Sequence, residues 1–455
     1  MAKATKKTKK KKKNKSKNLN EFDVINPNAA GIDVSSIDHV VSVPEDRAKR
    51  NIRTFGAFTS DLKKIALWLK KCKIETVAME STGVYWKQLL LVLQEHGLEV
   101  FLVNSRHVKN VTGKKTDEDD AHWIMRLHTC GLLTNSFQPP EQVVTLRDLL
   151  RQRKKLNKTK TLAVNKMTKA LNTMNIKLNI VMSDLTSVSA QKIISAIISG
   201  ERNPECLARL AHHKVKATRE EIIKALEGLW REECLFELKQ AYEHYHFLQQ
   251  QTKECDEQIE SQIESITAEV NDGDLTGLKE ESKKKHTRKN ELNFSVAPYL
   301  KEILQVDVCK IYGFNNETAL TMFAETGSDL SDFKSANHFT SWLGLAPNNK
   351  ISGGKLISSR LPKKTHPAKT ALIKAANSLY RSNNAMGDNY RRMRSRLGPK
   401  AAKCAIARKI AIIYYHMVTR KQEFNMELFE QNQAAYKRAR IKFLEKQLSD
   451  LKCVA

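Results

Sequence analysis

Between Asn28 and about residue 135 the chain alternates β-rich runs with stretches of helical periodicity, and few folds accommodate that order. Three runs come first, "AAGIDVSS", "DHVVSVP" and "IRTFGAF". Their β-branched and aromatic residues suit a pleated, half-buried surface. "TSDLKKIALWLKKC" then carries apolar residues at helical spacing, with Thr59 or Ser60 as the expected N-cap. "IETVAME" reads as a strand, "GVYWKQLLLVLQEHG" as a helix stopped by Gly97, and "LEVFLVN" as another strand. A further helix opens near Asp117 and runs to Leu127 or beyond. Three strands followed by alternating helix and strand predict an α/β domain over 21–135.

Carboxylates occupy conspicuous places in that pattern. Asp33 lies in the first strand, Glu80 ends a middle strand, and Asp117, Glu118, Asp119 and Asp120 open a helix. An i, i+3 pair such as Asp117 and Asp120 shares one helix face, with Cβ atoms roughly 5–6 Å apart. Acids in a first helical turn also suit the helix dipole, which by itself would account for all four. Asp33 and Glu80 have no such explanation, because a charge in an apolar strand is costly unless paired or metal-bound. Several carboxylates converging from separate elements are what two divalent ions about 3.5–4 Å apart require. Hard oxygen donors favour Mg²⁺ or Mn²⁺. Metal would also resolve an electrostatic conflict, since the chain carries a formal net charge of +28 and so calls for a polyanionic partner.

Part of that charge sits in the head, with ten lysines in the first 17 residues. Residues 1–20 are expected to be a disordered arm, either contacting nucleic acid or solubilising the chain. No apolar run reaches membrane-spanning length and the head lacks the apolar stretch of a signal peptide. The eight cysteines are scattered without metal-ligand spacing, which fits free thiols in a reducing compartment. These features predict a cytoplasmic protein with no membrane partner.

Residues 136–270 read as a helical linker. It starts with a basic amphipathic helix over 146–174 that includes Arg151, Arg153, Lys154 and Lys155, and its later part has spacing compatible with a coiled coil. The polar run 271–295 reads as a flexible insertion, 296–425 as a second compact domain, mostly helical, and 426–455 as a C-terminal helix. Within the second domain, "NNKISGGKLISSR" is a polar loop in which Lys350 and Lys355 flank Ser352 and two glycines. Ser-Gly-Gly is ordinarily a turn. With a base or metal to take its proton, the serine could instead attack a phosphodiester. "YRRMRSRLG" puts arginines, Arg391 and Arg392 among them, at helical spacing suited either to phosphate contacts or to a solvated face.

"GIDVS", "VAMESTGVYW", "VNSRHVKNVTGKKTDEDDAHWI" and "LRDLLRQRKKL" together resemble the DEDD transposases of bacterial insertion sequences. So do "GSDLSDFKSANHFTSWLGLAPNNKISGGK" and "YRRMRSRLGPKAAKCAIARKIAIIYYHMV" in the second domain. The resemblance implies an RNase H-like (RuvC-like) N-terminal domain, a helical or coiled-coil middle and a mostly helical C-terminal transposase domain. It implies that Asp33, Glu80, Asp117 and Asp120 hold two Mg²⁺ or Mn²⁺ ions, with Glu118 and Asp119 as passengers. It makes Ser352 a nucleophile that links covalently to DNA in a composite site. It further implies donor and target DNA as substrates, a structured bridge RNA as guide, and a dimer or tetramer associated with the nucleoid of a bacterium. Nucleic-acid contacts are expected from Lys114, Lys115, Arg151, Arg153, Lys154, Lys155, Lys350, Lys355, Arg391 and Arg392. The sequence departs from the family in two places. Asn315 stands where a second glycine is usual in the hairpin "KIYGFNN", and the loop 361–369 carries added lysines and prolines. Two other readings stay open: a RuvC-like resolvase or nuclease that uses water, and a noncatalytic DNA- or RNA-binding protein.

Overall fold

The computed structural model describes residues 23–103, 117–284 and 286–454. The lysine-rich head, Lys114 and Lys115 lie outside the described residues. The chain divides into two compact units, Met1–Phe137 and Gln138–Ala455.

The five β-rich runs of the first unit form one sheet: β1 (Ala29–Val34), β2 (Asp38–Ser42), β3 (Ile52–Gly56), β4 (Thr76–Glu80) and β5 (Glu99–Val103). Their order is β3-β2-β1-β4-β5. The first three strands pair antiparallel as a meander, whereas β4 runs parallel to β1 and β5 parallel to β4. Parallel neighbours need a crossover, and α1 (Thr59–Lys71) and α2 (Trp86–Glu95) supply two of the connections. One face of the sheet packs Ile32, Val34, Val77 and Met79 against Ile65, Leu69, Leu89 and Leu93 of these helices. The helix α3 (Asp117–Thr129) lies on the other face, where Ile124 and Leu127 meet Ala78 and Val103. This mixed α/β arrangement is consistent with the RNase H-like expectation. Phe58, rather than Thr59 or Ser60, occupies the N-cap of α1, with no side-chain cap. The helix starts early because the amides of Asp61 and Leu62 already reach the Phe58 carbonyl. Gly97 does end α2, at φ +70°, a backbone setting that favours glycine.

The second unit is mostly helical. Its frame is α4 (Glu141–Thr173) and α5 (Glu232–Val270), which run antiparallel: Gln142 bonds Glu269, and Cys255 Sγ reaches the Leu149 carbonyl. The apolar stripe of α5, through Leu238, Tyr245, Leu248, Ile259 and Ile263, is buried within this chain. Shorter helices fill 178–226 and 278–304. Then come α6 (Asn316–Thr326), α7 (Ala336–Trp342), a hairpin of β6 (Lys350–Ser352) and β7 (Lys355–Ser358), α8 (Pro367–Ser378), α9 (Ala385–Arg420) and α10 (Met426–Val454). Helix α9 breaks at Gly398, φ +78°, where Pro399 removes a donor and disfavours a helical predecessor.

The stretch 271–295, mostly exposed among the described residues, has local anchor points. Lys283 bridges Phe294 as a β-bridge, and Leu292 and Phe294 are buried. Two apolar residues hidden in a polar run anchor it, and Arg153 ties it to the helical frame. That guanidinium is buried, ion-paired with Asp256 of α5, and donates to the carbonyls of Asn290 and Glu291 at 3.1 and 2.8 Å. No helix among the described residues is long and apolar enough to cross a membrane.

Candidate active site

Strand register sets out the first group of carboxylates. In the parallel pair, Gly31 lies opposite Ala78 and Ile32 opposite Met79. Asp33 and Glu80 are the next residues along their strands. Side chains alternate along a strand, so Asp33 shares a face with Gly31, and Glu80 with Ala78. Ala78 packs on α3, which identifies that face as the one α3 covers.

The direction of α3 then decides which end of it meets the acids. His128 Nε2, near its C-terminal end, lies 2.8 Å from Thr76 Oγ1 at the start of β4. The amides of Ile25 and Asn26, ahead of β1, donate to the Thr129 carbonyl. The helix therefore runs against β1 and β4. Its first turn, with Asp117 and Asp120, points towards the carboxyl ends of those strands, where Asp33 and Glu80 stand. Open α/β sheets commonly bind ligands at that edge.

Gly31 makes this seating possible. A Cβ there would occupy the space of the Ala121 carbonyl and the Met125 amide, so the helix backbone lies directly on β1. The sequence reading missed this residue, although a glycine inside a strand is a known signal of close backbone approach.

Glu80 is 9% exposed and accepts a bond from the Thr82 hydroxyl at 3.3 Å. Asp33 and Asp120 are half-buried. The side chains of Asp117, Glu118 and Asp119 lie outside the described residues. Among the described residues, no group of three or more His, Cys, Asp or Glu side chains could hold a metal ion. Carboxylates such as Asp33 and Glu80 at the strand ends are hard oxygen donors of the kind a divalent cation takes. Behind the site, burial pushes His128 down to about 4.

In the second unit Ser352 sits on a β-hairpin rather than in an irregular loop. Gly353 and Gly354 form its tip at φ +56° and +72°, and Ser352 pairs with Lys355 across it. Two consecutive positive φ values are what a tight primed turn needs, so the glycines are accounted for by the turn. Ser352, Lys350 and Lys355 are exposed, as are Ile351, Leu356 and Ile357. No hydrogen bond to the Ser352 hydroxyl is found among the described residues.

The predicted nucleic-acid contacts divide by their surroundings. Lys154 and Lys155 are exposed on α4. Arg151 forms a forked pair with Glu325, 3.0 Å to each oxygen. Arg153 is held inside the fold as described. Arg391 bonds the carbonyls of Tyr380 and Ser382 and pairs with Asp388, while Arg392 stacks on Tyr436 at 4.1 Å.

The two departures from the family also find structural roles. Asn315 caps α6 by accepting from the Thr318 amide at 2.8 Å. Gly313, φ +83°, lets the chain approach the Ala375 carbonyl of α8. Of the departing stretch 361–369, the last three residues already belong to α8; ahead of them, Lys364 donates to the Trp342 carbonyl at 2.5 Å and His366 packs edge-on against the Trp342 ring. Burial pushes His366 down to about 3, with Lys364 and Arg151 adding to the effect.

Two family models match the chain. One for the IS110 DEDD enzymes, described as Transposase, spans 30–176, and one described as Transposase IS116/IS110/IS902 family spans 307–391. Together they cover about half of its length. A search of the curated proteins found no match. The first model takes in Asp33, Glu80, Asp117 and Asp120, and the second takes in Ser352. The chain is a DNA transposase and belongs to the IS110 family of DEDD transposases.

Proposed function

We propose that this transposase cuts and rejoins donor and target DNA through the carboxylates of an RNase H-like domain and a covalent serine link. What supports the reading is that Asp33 and Glu80 end neighbouring parallel strands on the face that α3 covers, and that α3 runs against those strands, with its first turn towards their carboxyl ends. Asp33, Glu80, Asp117 and Asp120 would hold two Mg²⁺ or Mn²⁺ ions, which when bound lower the pKa of an attacking oxygen and neutralise charge on a leaving one.

Ser352 Oγ attacks phosphorus, the bond to one sugar oxygen breaks, and that oxygen leaves with a proton as a free hydroxyl end. The serine–phosphate link preserves the energy of the broken phosphodiester. A hydroxyl from another strand then attacks it, rejoining DNA and returning the proton to Ser352. Lys350 and Lys355 flank the serine and offset phosphate charge. The reaction requires Ser352 and the carboxylates at one phosphodiester, supplied by one chain or by two.

Two strands in each of two duplexes must be cut, which supports a dimer or tetramer. The α5 stripe is already buried within the chain, so an oligomer would use another surface. Guidance by a bridge RNA is part of the same reading, with Lys154 and Lys155 as its available contacts.

Glu80→Gln and Asp120→Asn test the carboxylates. Each is expected to reduce Mg²⁺-dependent strand cleavage by at least about 10³-fold, a loss in the range a principal electrostatic group commands, while nucleic-acid binding stays within about twofold. Full cleavage by Asp120→Asn would remove α3 from the site.

A further inference from the structure

A cavity of about 440 Å³ opens in the second unit between α4, α6 and α8. Its volume is that of a site for a small ligand or one unit of a polymer. Four cations line it besides the Asp256-bound Arg153, namely Arg147, Arg151, Lys154 and Lys374, against the two carboxylates Glu317 and Glu325. Arg151 is already paired with Glu325, which leaves an excess of positive charge facing the space.

Two residues of the lining each carry a buried polar atom with no partner among the described residues. Arg147 is 8% exposed, and its Nε is buried without a hydrogen-bond acceptor. Asn157 Oδ1 is buried without a donor. A buried polar atom left unsatisfied is destabilising, so a ligand that accepts at Arg147 and donates at Asn157 has both side chains to satisfy. A phosphate accepts, and a sugar hydroxyl donates. Desolvation, together with the neighbouring Arg151, also holds the Arg147 guanidinium below its ordinary pKa, a burden that an anion would relieve.

No aromatic side chain lines the cavity among the described residues. Base recognition in single strands relies on stacking against such rings. The lining therefore suits the sugar–phosphate backbone and not a base.

We propose that this cavity binds one phosphate, with its sugar, of a nucleic-acid strand without reading sequence. The proposal rests on the transposase reading for the presence of a strand. It adds a holding point that is independent of Ser352 and of the carboxylates.

The probe is a short abasic oligonucleotide, which keeps the backbone and has no bases, titrated against the full chain over a range of salt. Lys154→Gln with Lys374→Gln removes two exposed charges from the rim. It is expected to weaken binding roughly tenfold and to flatten the slope of log affinity against log salt by about 1.4, from about 0.7 per single-strand contact. Lys301→Gln with Lys334→Gln removes two exposed lysines of the same unit outside the cavity and is expected to cost about twofold or less.

Equal losses in the two double variants, or no loss in the first, would overturn the proposal. Inorganic pyrophosphate provides the second arm. If it binds the wild-type chain with the same dependence on Lys154 and Lys374 while the abasic strand does not bind, the cavity serves a free phosphate and the strand is the wrong source. A wild-type chain that binds no nucleic acid of any kind would count against the transposase reading instead.

Discussion

Glu80 and Ser352 both end a strand, and their settings could hardly differ more. Glu80 closes β4, whose five residues are all buried, with β1 and β5 on either side and helices on both faces. Ser352 closes a strand of three exposed residues that, among the described residues, pairs with β7 alone. An isolated two-stranded hairpin is marginal in water. The carboxylates are thus held by the core of their unit, whereas the serine is held by a two-glycine turn. Metal sites need ligands fixed before the ions arrive, and a central sheet provides that rigidity. In the proposed reaction, a serine that attaches to DNA, releases it and accepts another strand gains from a mount with few packing constraints. The exposed Ile351, Leu356 and Ile357 give the hairpin apolar surface to bury when substrate or partner engages it.

Disturbing the firm side should have the largest effect. Gly31→Ala changes none of the carboxylates, yet it drives a methyl group into the backbone of α3. Overpacking of this kind costs about 1–3 kcal/mol, and a displacement near 1 Å at a reacting centre can cost roughly 10²-fold. Cleavage by Gly31→Ala is expected to fall about 10²-fold with the chain still folded, as read by strand-cleavage assays beside circular dichroism. Unchanged cleavage would mean that the seating of α3 does not position the site.

His128 offers a second handle on the same unit. Its imidazole is buried, its pKa is lowered to about 4, and its Nε2 meets Thr76. Because the folded-state pKa lies below the unfolded value of about 6.5, the unfolded chain takes up a proton first as pH falls. The stability contributed by neutral His128 is therefore complete above about 6.5 and is lost progressively down to about 4. With His128 lowered from 6.5 to about 4, the loss is expected to reach at most about 3 kcal/mol. Urea unfolding of the full chain, followed through the first unit at pH 7.5 and pH 4.5, checks it. His128→Gln should flatten that dependence, and an unaltered pH profile would exclude the residue as its source.

The loose side should respond in the opposite way. Gly353→Ala places a side chain at φ +56°, which costs about 1–2 kcal/mol for an L-residue. That cost falls on a hairpin carrying no buried load, so the melting temperature of the chain is expected to stay within about 1 °C. Recombination should nevertheless decline about tenfold as the hairpin populates its turn less often. A lower melting temperature would show that the hairpin supports the fold, and the contrast with β4 would disappear.

Much of the first unit was legible in the sequence because β-branched runs and helical periodicity report local burial. The places of Asp33 and Glu80 followed from those runs. The seating of α3 on Gly31 was not legible, because a backbone-to-backbone approach leaves no side chain to give it away. The stretch "NNKISGGKLISSR" read as a loop because its strands are short and exposed, without the alternation that burial imposes, although Gly-Gly did signal the turn. The apolar stripe of α5 was visible, but periodicity cannot name a partner, and that partner proved to be α4 of the same chain. Arg153 looked like its basic neighbours on α4. What separates it is Asp256, 103 residues away, and no local pattern connects the two.

The most direct test of the proposed chemistry asks whether Ser352 becomes joined to DNA. The chain is incubated with supercoiled or guide-matched duplex and Mg²⁺, then denatured, digested and analysed by mass spectrometry. A nucleotide-bearing peptide carrying its modification on Ser352 is the predicted result. Ser352→Ala should lose both the adduct and recombination while keeping its metal-dependent response. If Ser352→Ala still cleaved DNA, leaving 5′-phosphate and 3′-hydroxyl ends and no adduct, water would be the nucleophile and the resolvase-type mechanism would replace the serine one.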